Sequence, residues 1–274
     1  MDIGVVAPDQ PSTASPQETP PFVRLAGNDG GGLVIVCDHA GNRVPPEFGD
    51  LGLPPAEFAR HIAYDPGAAV VARRLAKQLD APAVMASFSR LLIDANRGED
   101  DPTLIMKLSD GTIVPGNAAV DGAERARRVA RYHAPYHAAI ETAIDRAIAA
   151  GRPPALVSIH SFTPVWRDYR RPWQAGVLWD TDARLAGPMI EALRADATLV
   201  IGDNEPYSGA LANDTMHRHG TVRGLAHALV EIRQDLIGDE AGAGRWATRL
   251  ADILTALNHA PEIHDIRHFA SRAD

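Results

Sequence analysis

Short, fully apolar runs alternate along the chain with stretches whose apolar residues recur every third or fourth position. "GLVIVCDH" (residues 32–39) reads as a strand with no polar interior. "DPGAAVVARRLAKQL" (65–79) reads as a helix with Ala68, Val71, Leu75 and Leu79 on one face, Asp65 suited to the N-cap and Pro66 to the first helical position. "PAVMASF" (82–88) and "RLLIDAN" (90–96) have strand character, and "TLIMKLSDGTIVPG" (103–116) suggests a hairpin turned by Asp110-Gly111. A long helical pattern over 124–151 contains Pro135, which predicts a kink, and ends at Gly151. The strands "ALVSIHS" (155–161) and "AGVLWD" (175–180), a helix over 183–196, and the strands "TLVIG" (198–202) and "GLAHALVEIRQD" (224–235) follow. The last helix, over 244–257, places Trp246, Leu250, Ile253 and Leu257 on one face.

Apolar strands alternating with amphipathic helices predict a three-layer α/β fold, its mostly parallel central sheet covered by helices on both faces. Residues 1–20, rich in Pro, Ser, Thr and Gln, are expected to be a flexible tail. Residues 21–274 show neither linker nor repeat and are expected to form one domain. In open parallel sheets ligands bind beyond the carboxyl ends of the strands. Here those ends are polar: Asp38-His39, then Asp94, Asn96 and Arg97, then His160-Ser161, and Glu231 with Arg233. The segment 99–118 is long enough to be a lid over such an edge.

Composition narrows the class. The 274 residues carry a formal net charge of −8 with no long basic run, which disfavours nucleic acid as a partner. No apolar run approaches the ~20 residues of a membrane span, and no basic-then-apolar leader opens the chain, so a cytoplasmic enzyme is expected. The single cysteine, Cys37, excludes an intrachain disulfide and a Cys-type zinc cluster; its apolar neighbours read as a buried strand.

The chemistry then rests on histidine and carboxylate. His39 and His160, at two strand ends, suit a catalytic zinc, which takes about three protein ligands. Asp65 is either the third ligand or a helix cap, and Asn42 either offers an amide oxygen or orders a turn. Glu231, inside an apolar strand, is either a general base or half of an ion pair with Arg233, Arg223 or another arginine. Arg97 and Arg90 are candidate clamps for a substrate carboxylate, or surface residues. His133 and His137 are four apart on a helix but enclose a proline and no glutamate, and read as packing or surface residues; His217 and His219 belong either to a mobile binding loop or, on the residues alone, to a solvated turn.

Six fragments, "VIVCDHAGNRVPPEF", "HIAYDPGA", "SRLLIDANRG", "DGTIVPGN", "SIHSFTP" and "VEIRQDLI", together resemble the N-formylglutamate amidohydrolase family, in order over residues 33–240. The resemblance implies a zinc-carboxypeptidase-like (phosphorylase/hydrolase-like) fold and a zinc-dependent hydrolase cleaving the amide of a small acidic N-acyl amino acid such as N-formylglutamate. It places metal ligands at His39 and His160, the catalytic carboxylate at Glu231, and the carboxylate receptor at Asn96 and Arg97, with Arg90 assisting. Where carboxypeptidases have His-x-x-Glu, this chain has His39-Ala40-Gly41-Asn42, so the acidic ligand moves to Asp65. His61 replaces an acidic group of the typical family member, which implies a pocket for a different acyl-amino acid.

Overall fold

The computed structural model describes residues 20–273, so the expected tail lies outside the described residues except for Pro20. β1 (Phe22–Leu25), β2 (Leu33–Cys37), α1 (Ala68–Leu79) and β3 (Ala83–Ala86) come first. A small hairpin of β4 (Leu108–Ser109) and β5 (Thr112–Ile113) leads into α2 (Pro115–Ala118), α3 (Gly122–Arg128) and α4 (Ala134–Ala149). β6 (Ala155–Phe162) is followed by a short ribbon, β7 (Val165–Trp166) and β8 (Tyr169–Arg170), then β9 (Ala175–Leu178) and α5 (Ala183–Arg194). β10 (Ile201–Asp203), β11 (His227–Arg233) and α6 (Glu240–Leu257) complete the order.

The central sheet has seven strands in the order β1-β3-β2-β6-β11-β9-β10. β3, β2, β6 and β11 run parallel, β1 is an antiparallel edge, and β9 reverses against β11 with β10 parallel to it. The fold is therefore mixed α/β with a mostly parallel sheet, as the alternation predicted. Alternate strand residues point to opposite faces. Val157, Ile159, Val230 and Ile232 join the core formed with α1, α5 and α6, whereas Val34, Val36, Leu156 and Leu229 share a second core with Tyr136, Ile140 and Ile144 of α4. Each fully buried Leu, Ile or Val contributes ~1.5–3 kcal/mol, so these two layers hold the sheet rigid beneath its carboxyl edge. Among the described residues, no helix is long and apolar enough to cross a membrane.

Local structure departs from the pattern in ways that shape the site. Residues 90–96 form turns instead of a strand, although Leu91, Leu92 and Ile93 are fully buried. Their neighbours compete for the backbone: Ser89 Oγ accepts from Leu91 N–H and Asp94 Oδ1 accepts from Asn96 N–H. The long helix is interrupted by a π-helical turn over Val129–His133, and Pro135, which has no N–H to donate, follows just beyond it in α4. The segment 99–118 is anchored at several points: Leu104 and Val114 are buried, and Asn117 donates to the Leu91 and Met106 carbonyls.

Gly176, on β9 opposite Glu231, admits the backbone of Glu205, whose carbonyl would lie 1.8 Å from any Cβ built there. Gly176→Ala is expected to destabilise the fold by about 1–3 kcal/mol, through overpacking against backbone. Denaturant unfolding measures this, and a neutral result would mean that the 204–206 segment yields freely.

Candidate active site

The parallel register of β6 and β11 sets Glu231 directly beside His160 on one face of the sheet. β2 ends in Asp38-His39 next to them. The fourth group, Asp65, comes from the approach to α1, and here a glycine decides between the two sequence readings. Gly67, at φ +83, is the residue preceding α1, and a Cβ there would lie 2.3 Å from the Ile237 carbonyl oxygen. The helix consequently starts at Ala68, and the Asp65 side chain caps nothing. Its Oδ2 lies 2.9 Å from His160 Nδ1 and 3.5 Å from His39 Nδ1, and accepts from Ser161 N–H at 3.2 Å. One ligand-type atom from each of His39, Asp65 and His160 lies within 4.8 Å of the others. The alternative, Asn42, donates its amide to the Phe58 carbonyl and so orders its own turn.

Each imidazole is held from behind by a buried carboxylate. Asp94 Oδ1 is 2.7 Å from His39 Nε2, and Asp38 Oδ2 is 2.8 Å from His160 Nε2. A carboxylate only accepts, so both Nε2 atoms carry protons and both Nδ1 atoms face inward. The carboxylates are themselves fixed. Asp38 accepts from the Tyr136, Ser158 and Thr215 hydroxyls at 2.9, 2.9 and 2.6 Å, and Asp94 accepts from Arg90 through Nε and Nη2 at 3.1 and 2.7 Å. Burial alone would raise both; the hydrogen bond from His160 for Asp38, and Arg90 with His39 for Asp94, reverse this and hold both carboxyls below the usual range.

The inner atoms fit a metal ion. His39 Nδ1 is buried with no hydrogen-bond partner, at a cost of ~1–3 kcal/mol for such an atom left alone. His160 Nδ1 faces Asp65 Oδ2 at 2.9 Å, and two acceptors that close repel unless a proton or a cation lies between them. Ligand atoms of one tetrahedral zinc at about 2.0–2.2 Å stand roughly 3.3–3.6 Å apart; here the two histidine–Asp65 separations are 2.9 and 3.5 Å, and all three atoms lie within 4.8 Å of one another. Asp38, Asp65, Asp94 and Glu231 are all buried, with Arg90 the guanidinium among them, so the cluster carries an excess of negative charge that a divalent cation offsets. Carboxylate-oriented histidines are the usual second layer of a metal centre.

Glu231 is 6% exposed and its Oε2 has no partner. Burial pushes its carboxyl up to about 7; His160 opposes this and Asp65 adds to it. The ion-pair alternatives do not form, since Arg233 pairs with Asp235 and Arg223 with Asp145. Glu231 is thus a buried carboxyl with one unpartnered oxygen, facing a cavity of about 360 Å³.

Arg90, Asn96, Arg97 and His61 line the same cavity. Arg97 reaches its own neighbour's carbonyl (Asn96) at 3.3 Å and Asp101 at 3.8 Å, and Asn96 Oδ1 accepts from Thr215 N–H. His61 Nε2 is 3.3 Å from Asp110 in the hairpin turn, and burial holds the ring below its ordinary range. Ser161 lines the cavity with its hydroxyl held by the Pro66 carbonyl, and Arg233 turns away to Asp235.

Sequence reasoning placed Asp38 and Asp94 among the polar strand ends but gave them no role as orienting carboxylates. It missed Asp214, a buried lining residue raised to about 7 by burial despite the His217 N–H, with Asp38 adding to the rise. The solvated reading of His219 is overturned. The π-helical turn over His217–Thr221 carries its ring inward, with Nε2 2.8 Å from His137 Nδ1. His137 Nε2 lies 3.1 Å from His133 Nε2, which donates to the Arg97 carbonyl at 2.9 Å, so this buried row packs behind the cavity rim.

The family model for N-formylglutamate amidohydrolase matches residues 31–238, most of the chain. The chain belongs to that family. This amidohydrolase also superposes on gene product Atu2144 of Agrobacterium tumefaciens with a TM-score of 0.83 at 33% identity, covering 89% of this chain and 97% of the other. The N-formylglutamate amidohydrolase of Ralstonia eutropha JMP134 superposes with a TM-score of 0.64 at 20% identity, over 89% and 99% of the two chains, a likeness of fold. Comparison with curated proteins gave no match. Family membership makes the amidohydrolase an amide-cleaving enzyme, and its matched segment contains every residue of the His39–Asp65–His160 group and Glu231.

Proposed function

We propose that the amidohydrolase is a zinc-dependent enzyme that cleaves the acyl amide of a small N-acyl amino acid, with His39, Asp65 and His160 as metal ligands. The observation that supports this most is the pairing of an inward-facing His-Asp-His group with a partnerless buried glutamate in register beside it. Zinc, when bound, supplies Lewis-acid polarisation of the acyl carbonyl and acidifies the attacking water.

The chain's own groups do the rest. Glu231 takes a proton from the water on its carboxylate as the oxygen adds to the acyl carbon. It returns that proton to the amine nitrogen as the C–N bond breaks, leaving a carboxylic acid and a free amino acid. Asp94 and Asp38 keep both Nδ1 atoms inward throughout. Arg97 clamps the substrate's α-carboxylate, Asn96 holds the adjoining Thr215 backbone, and Arg90 stays with Asp94 and Asp65.

Arg97→Ala is expected to raise KM for N-acyl amino acids about 10–100-fold, the ~1.5–3 kcal/mol of a charged hydrogen bond. Carboxylate-free N-acyl amines should be unaffected, and an equal loss on both would make Arg97 a structural residue. Amine release by the zinc-loaded protein from N-formyl, N-acetyl and dipeptide substrates tests the function itself. Hydrolysis of N-acyl amino acids is expected; cleavage confined to dipeptides would make the enzyme a peptidase.

A further inference from the structure

We infer that the cavity selects N-acyl amino acids with a single carboxylate and an apolar side chain, and disfavours dicarboxylates such as N-formylglutamate. The inference rests on the N-acyl amino acid reading above and specifies its substrate.

The cations are the first argument. Among the described residues, Arg90 and Arg97 are the arginines lining the cavity, and no lysine does. Arg90 is committed to Asp94 through two nitrogens and lies 3.6 Å from Asp65. Arg97 remains, with capacity for one carboxylate. Arg171, outside the lining, donates to Thr163 and stacks on Phe162 and Tyr207. A second substrate carboxylate would meet no further arginine or lysine in the lining.

The shape of the cavity is the second. On β11, residues 227, 229 and 231 face the same side, so the wall continues about 13 Å from Glu231 past Leu229 to His227. Leu178 is the register partner of Leu229, Met216 packs in the same apolar cluster, and Leu211 lines the cavity above them. None of these four side chains offers a hydrogen-bond donor. His227 does not supply the missing charge: its Nδ1 donates to the Leu225 carbonyl at 2.8 Å, its Nε2 lies 3.3 Å from the Thr221 hydroxyl, and burial holds it below its ordinary range. Apart from the metal ligand Asp65, Asp214 and Glu231 add acidic groups to the lining, a poor setting for a further anion. The volume, about 360 Å³, is at the low end of ligand pockets, which suits one amino acid with a short acyl group.

The test uses the zinc-loaded enzyme with N-formyl and N-acetyl derivatives of leucine, phenylalanine and glutamate. kcat/KM is expected to favour the apolar derivatives by about 10²-fold or more, the scale on which a mismatched pocket discriminates. Leu229→Arg should narrow or invert that ratio. Leu211→Arg, at a partly exposed position, should do the same if the buried substitution prevents folding. Calorimetric binding of the same compounds to Glu231→Gln reads the preference without turnover. Tighter binding or faster cleavage of the glutamate derivative, equal values for all, or binding of none overturns the inference. Selective binding of the apolar derivatives with no cleavage of any by the parent enzyme would instead overturn the hydrolytic reading and leave the selectivity standing.

Discussion

Replacing Glu231 by glutamine is expected to lower kcat by about 10²–10⁴-fold, the range over which a positioned general base acts. Glutamine matches the shape and polarity of the carboxyl but accepts no proton on its amide. The parent side chain is buried, makes no ion pair with Arg233 or Arg223, and has one oxygen without a partner, so its replacement by an isosteric amide breaks neither of those arginine pairs. Zinc content, unfolding midpoint and KM should therefore stay close to those of the parent. Turnover measured together with metal analysis decides the matter, and a fully active Glu231→Gln would move proton transfer to another group.

Replacing His160 by alanine is expected to remove both the metal and measurable turnover. The ring is the central member of the cluster, joining Asp38 on one nitrogen to Asp65 on the other. A metal centre reduced to His39 and Asp65 falls below the three protein ligands of catalytic zinc sites. Asp38 would keep its Tyr136, Ser158 and Thr215 donors, so the fold should survive, losing about 1–3 kcal/mol. Metal stoichiometry after dialysis, beside an unfolding curve, reads both effects. One equivalent of zinc retained by a folded His160→Ala would exclude His160 as a ligand.

Much of this was legible in the sequence because of one contrast: strands apolar along their length that end in polar residues. That contrast located His39, His160 and Glu231, and the alternation of elements predicted the sheet that gathers them. Asp65 was visible as an acidic residue, but its use depends on Gly67, whose left-handed backbone delays the helix and frees the carboxylate. No local pattern encodes that choice, because the reason lies 170 residues away at the Ile237 carbonyl. The same holds for Asp94. It was read within a strand, yet its side chain builds the turn that replaces the strand and then reaches His39. His219 was misread because a π-helical turn reverses the facing that its polar neighbours suggest.

The most direct test is diffraction from crystals grown with zinc, recorded at the zinc absorption edge. The account predicts one anomalous peak per chain, in bonding contact with His39 Nδ1, Asp65 Oδ2 and His160 Nδ1. A peak bound elsewhere, or none while those three atoms hold one another, would contradict it.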